Sequence, residues 1–117
     1  MRMNEVQFDD SCPVDGYGPG FFRVGGTVLQ GAILLLPTGA APWGGYGDVA
    51  ALVAVAGQVD VLLLGTGAEI AHPPAELRRA VEAAGLGLEV MASAAACRTY
   101  NVLLAEGRRV GAAMLPV

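Results

Sequence analysis

The chain has 117 residues, 54% of them apolar and 15% charged, with a formal net charge of -4. That balance excludes intrinsic disorder, which needs low hydrophobicity and high net charge. It also argues against a nucleic-acid binder, which carries a basic face. The length fits a single domain over residues 1–117, large enough to bury a core without disulfide or metal staples.

Cys12 and Cys97 stand far apart and outside any C-x-x-C pair, so free thiols in a reducing cytoplasm are expected. The first residues, MRMNEVQFDD, are polar and acidic where a secretory signal would be apolar. The longest uncharged stretch, between Arg23 and Asp48, is broken by glycines and prolines. It therefore does not supply the roughly 20 continuous apolar residues of a membrane helix. The expectation is a cytoplasmic protein without a membrane span.

In chain order, Asp9-Asp10 reads as a solvated acidic pair, and residues 11–20, SCPVDGYGPG, read as turn. Phe21 to Val24 and residues 27–36 read as two strands of a hairpin joined at Gly25-Gly26. Leu34-Leu35-Leu36 is apolar throughout, as in a strand covered on both faces. Residues 37–47, PTGAAPWGGYG, read as loop. Asp48 caps a predicted helix over 49–56, stopped by Gly57. DVLLL, residues 60–64, is the clearest buried strand. Pro73-Pro74 opens a second helix with Leu77, Val81 and Ala84 on one face and Gly85 as its stop.

Residues 86–91 are another apolar strand, with Leu88 and Val90 expected in the core beside Leu62, Leu63 and Leu64. Ser93 is the expected cap of a third helix over 94–106, and residues 110–115 close the chain as a strand. The short Arg108-Arg109 connection suggests that this strand is antiparallel. Alternating strands and helices in the second half imply an α/β layer, and the early hairpin makes the sheet mixed.

Ligands of open α/β sheets sit at the carboxyl ends of parallel strands. Two segments qualify: Gly65-Thr66-Gly67, and the third helix carrying Arg98, Thr99, Tyr100 and Asn101. The helix start offers unpaired N–H groups and Arg98 a permanent cation, so the candidate ligand is an anion. Arg98, Thr99 and Asn101 are expected to face the Gly65-Thr66-Gly67 turn. The plain alternatives are a strand-to-loop turn, an Arg98 ion pair, a core Tyr100 and an Asn101 bonded to loop backbone. Neither a dinucleotide fingerprint nor a P-loop is present. His72, the single histidine, has no ligand spacing with the cysteines, so no metal site and no cofactor are expected. Cys97 reads as a buried thiol. No complete catalytic constellation emerges, and no catalytic residue is assigned.

The order DGYGPGFFRV, LLLP, Trp43, VDVLLLGTG, HPPAELRRA, GLGLEVM and ACRTYNVLLAEGRRVGAAMLPV resembles the Mth938-like family, a domain of unknown function. That family includes a mitochondrial assembly factor for respiratory complex I. The resemblance implies a three-layer α/β arrangement around a central mixed sheet. It implies no catalytic residues, and it points to an assembly role exercised through protein partners. No targeting presequence is expected ahead of the domain, and that would separate the chain from the mitochondrial branch.

Two functions follow. The first is a non-catalytic binding or assembly module, with Trp43 and Tyr46 as a candidate partner surface and edge coverage by Trp43 as the alternative. The second is an anion-binding protein or enzyme using a pocket between Gly65-Thr66-Gly67 and the third helix. The oligomeric state is left open.

Overall fold

The computed structural model describes residues 6–8 and 10–117, so Asp9 of the acidic pair lies outside the described residues. Strands β1 (Val6–Gln7), β5 (Ile33–Leu36), β6 (Gly39–Pro42), β7 (Val61–Thr66), β8 (Gly87–Met91) and β9 (Val110–Leu115) form one sheet in the order β1-β6-β5-β9-β7-β8. A smaller antiparallel sheet joins β2 (Val14–Gly18), β3 (Phe21–Val24) and β4 (Thr27–Gln30). Three α-helices, α1 (Val49–Val53), α2 (Ala75–Ala83) and α3 (Ser93–Ala105), complete the described elements, with a 3-10 turn at Gly45–Gly47.

Side chains on a strand alternate between its two faces. Leu62, Leu64, Leu34 and Ala113 project to one side, where they meet Leu52 of α1 and Leu77 and Val81 of α2. Leu63, Leu35, Ala112 and Met114 project to the other, against Ala96, Cys97 and Tyr100 of α3 and Phe22 and Val24 of the small sheet. The result is three layers: α1 and α2, the large mixed sheet, then α3 with the small sheet. This is the expected architecture, with the hairpin β3–β4 in the expected place.

Several local expectations are corrected. Residues 27–36 are not one strand. Gly31, at φ +78°, turns the chain between β4 in one sheet and β5 in the other, a conformation that glycine adopts without penalty. The segment 11–20 is not all turn, because VDGYG extends as β2 along β3 through a bulge between Val14 and Gly16. The loop 37–47 contains β6, which pairs with β5 around Pro37-Thr38. Turn-forming residues hid both strands: β2 is the edge of its sheet, and in β6, which lies between β1 and β5, the proline stands at the strand's end, beyond the pairing with β1.

The first helix is shorter than 49–56, and Asp48 stands at its N-cap position without a side-chain cap hydrogen bond. The Asp48 carboxylate accepts from the Gly44 amide at 3.2 Å instead.

The closing strand is parallel to β7 and antiparallel to β5. The 13 residues of α3 run about 20 Å, back along the length of the sheet. The Arg108-Arg109 turn then starts β9 at the edge where β7 also starts. Leu88 and Val90 are half-buried rather than core, because β8 is an edge strand, paired among the described strands with β7 alone.

Candidate functional site

The carboxyl end of β7 carries Gly65-Thr66-Gly67, and the start of α3 lies directly upon it. Gly65 has no room for a side chain: a Cβ there would stand 2.7 Å from Ser93 Oγ and 3.0 Å from Ser93 Cα. The Ser93 amide donates to the Gly67 carbonyl at 2.9 Å, and the Gly67 amide donates to Ser93 Oγ at 2.9 Å. The Ser93 hydroxyl then donates to the Leu115 carbonyl at 2.5 Å. Ser93 is therefore not the helix cap. It is the first residue of α3, and its side chain ties together the ends of β7 and β9. Ala92 occupies the cap position.

Thr66 organises the loop that follows. Its hydroxyl donates to the Glu69 carbonyl at 2.6 Å, lies 3.3 Å from the Met91 carbonyl and accepts from the Ala71 amide at 3.1 Å. A hydroxyl has one proton and two lone pairs. Thr66 thus spends its bonding capacity on its own loop and on the end of β8.

The CRTYN residues diverge around α3 instead of converging on that turn. Arg98 is exposed and Thr99 half-buried. Tyr100 is fully buried in the core between α3 and the small sheet, and its hydroxyl has no hydrogen-bond partner among the described residues. Burial pushes its pKa up, and nearby Cys12 adds to the rise. Asn101 faces β2, where its side-chain oxygen accepts from the Val14 amide and its nitrogen donates to the Val14 carbonyl. The expectation that Asn101 faces Gly65-Thr66-Gly67 is corrected. It lies eight residues beyond Ser93, about 12 Å along the helix.

Cys97 is buried with its sulfur 3.7 Å from that of Met114, and its thiol is pushed up to about 11 by burial, with Arg98 opposing. Both cysteines are free. Trp43 is only 4% exposed and belongs to the core beside α1, so it presents no apolar patch. Its indole nitrogen donates to the Asp48 carbonyl at 3.0 Å, and Tyr46 packs edge-on against it with ring centres 6.2 Å apart. Tyr46 is half-buried, and burial raises its pKa.

A pocket of about 310 Å³ lies at the opposite end of the strands, near the starts of β7 and β9, lined by Leu36, Val59, Leu104 and Arg108 among others. A second, of about 280 Å³, lies beyond Thr66 and is lined by Ile70, Ala71, His72, Arg78 and Val90. Sequence reasoning passed over Ile70 and Arg78. The signal available was an isoleucine set among Gly, Ala, Glu and Pro in a loop. Among the described residues, no three His, Cys, Asp or Glu side chains cluster as metal ligands. No described helix is long and apolar enough to cross a membrane.

These features define a three-layer α/β protein whose strand-end turn is closed by its own helix. Residues 14–115 match the family described as protein of unknown function DUF498/DUF598, and the chain belongs to that family. An uncharacterised protein of Rhodobacter capsulatus is 55% identical over 117 residues, spanning all of this chain and 94% of that one. NADH dehydrogenase (ubiquinone) 1 alpha subcomplex assembly factor 3 of Danio rerio is 31% identical over 107 residues, or 86% of this chain. The match spans 62% of that assembly factor's length.

Among solved structures, one described as an outer membrane protein from Bartonella henselae superposes with a TM-score of 0.81 at 35% identity, covering 92% of this chain and 97% of that one. A Bordetella pertussis protein described as a Mth938-like domain superposes with a TM-score of 0.74 at 32% identity, covering 90% and 85%.

Proposed function

We propose that this protein is a single-domain, non-catalytic assembly module that acts through a protein partner. The observation that carries this reading is the similarity, along 86% of the chain, to a relative named as an assembly factor of NADH dehydrogenase. The internal commitments of Thr66, Ser93 and Asn101 agree with it. At the strand end, the polar groups of Thr66 and Ser93 that a ligand site would use are engaged with the loop after β7 and with the end of β9, and Asn101 is engaged with β2.

Deletion of the gene in its own organism tests the proposal. Native gels of the respiratory membranes should show NADH dehydrogenase stalled as partial assemblies, restored by the intact gene. An unaltered complex with full activity would overturn the assembly reading. Fractionation of the same cells checks the proposed cytoplasmic location against the envelope.

A further inference from the structure

β8 is the outer strand of the large sheet, paired to β7 and to no other described strand. The Gly87 amide donates to the Asp60 carbonyl at the foot of β7. In a parallel ladder the N–H and C=O of one residue point the same way and those of the next point the opposite way. Gly87, Glu89 and Met91 therefore turn their backbone groups to β7. Leu88 and Val90 turn theirs to the open edge. Two donors and two acceptors stand in a row there, a ready template for another strand.

The side chains along this edge differ by face. Leu88 and Val90 pack on the α2 side, and Val90 joins exposed Ile70 in the 280 Å³ pocket with His72 and Arg78. Ile70 is 67% exposed, the most of the large apolar residues described. Glu89 projects from the opposite face into solvent.

We propose that the β8 edge docks an extended segment of a partner protein, with a basic residue placed opposite Glu89 and apolar residues on either side of it. This rests on the assembly reading above and names the surface and chemistry through which it operates. Added strands gain affinity from backbone bonds and specificity from alternate side chains. A foreign strand bonded to Leu88 and Val90 places one residue directly across from Glu89, where an opposite charge is favoured. Its flanking residues then fall on the α2 face, over Val90 and Ile70.

A second copy of this chain fits poorly. The antiparallel register that uses all four open backbone groups pairs Leu88 with the second Val90. It sets Glu89 against the second Glu89 in a pair about 4.5 Å apart at Cα. Like charges directly opposite oppose pairing.

The test titrates the full, isotopically labelled chain with two synthetic seven-residue peptides, one alternating Val and Lys, the other alternating Val and Glu. The Val/Lys peptide should shift the amides of Leu88, Val90 and Ile70 and bind about tenfold more tightly. Glu89→Lys should invert the preference. Val90→Pro should abolish binding, since proline removes an outward donor and leaves the β7 ladder intact. Equal affinities, shifts confined to other surfaces, or a dimer with Leu88 and Val90 protected without peptide would each overturn the proposal.

A photo-crosslinking side chain at position 70, with position 102 on α3 as control, separates this from the broader reading. Crosslinks to the respiratory complex's subunits from 102 alone sink the edge proposal and leave assembly standing. Crosslinks from 70 to a segment of alternating apolar and basic residues support it.

Discussion

Asn101 of α3 holds Val14 of β2 by both of its backbone groups, accepting from the amide at 2.7 Å and donating to the carbonyl at 2.9 Å. One side chain thereby substitutes for a neighbouring strand and fastens the small sheet to the helix layer. Asn101→Ala leaves both Val14 groups without a partner and should cost roughly 1–3 kcal/mol. Asn101→Asp keeps the acceptor, loses the donor and should lie in between. Urea unfolding of the three proteins provides the measurement, and equal midpoints would show that the bonds are dispensable.

Gly65→Ala tests the closeness of α3 to β7. The new methyl meets the backbone of Ser93 as well as its hydroxyl, and backbone does not step aside. A loss of about 1–3 kcal/mol is expected, as for overpacked cores. A melting temperature unchanged from wild type would mean that the helix shifts freely, against the tie described for Ser93.

Ser93→Ala and Arg98→Ala form an informative pair. The first strips a buried hydroxyl from the Gly67 amide and the Leu115 carbonyl and should cost roughly 1–3 kcal/mol. The second removes an exposed side chain and should change stability by no more than about 0.5 kcal/mol. Thermal melts with and without phosphate or carboxylate anions extend the comparison. Stabilisation of wild type but not of Arg98→Ala by an anion would revive the ligand reading.

The thiols should differ in reactivity and in pH dependence. Cys12 is half-buried and should react with a disulfide reagent well before Cys97, which is buried with its pKa at about 11. Burial raises this acid's pKa in the folded state above its ordinary value of 9.0, so the folded chain holds the proton longer than the unfolded one. The associated stability is present below pH 9 and declines as pH rises toward 11. Tyr100 is shifted in the same direction and steepens that decline. Cys97→Ser measured from pH 8 to 10.5 should show a flatter dependence than wild type.

Burial ranks the leucines. Leu62→Ala or Leu77→Ala should cost roughly 2–5 kcal/mol, because both side chains are fully buried between the sheet and the α1–α2 layer. Leu88→Ala on the open edge should cost clearly less, since its side chain is already partly exposed to water. Comparable losses at all three sites would contradict the edge position of β8.

The elements with strong periodicity were legible from residues alone. DVLLL, the face of Leu77 and Val81 in α2 and the apolar run of β5 each carry a pattern dictated by local geometry. Their alternation defines an α/β layer around a mixed sheet, and the motif order marks the family.

Long-range contacts decided the rest. VDGYG and GAAP become strands because β3 and β5 offer them ladders, which no propensity within those segments reports. β9 runs parallel to β7 because α3 carries the chain back along the sheet, a matter of helix length and packing. Ser93 looks like a cap by type, yet its hydroxyl serves two strand ends that are 26 and 22 residues distant in the chain. Arg98 to Asn101 are contiguous in sequence, but a helix turns successive side chains by about 100°. Tyr100 is therefore delivered to the core, Asn101 to the small sheet and Arg98 to solvent. Adjacency along the chain identified the residues, and the helical turn assigned each a different neighbour.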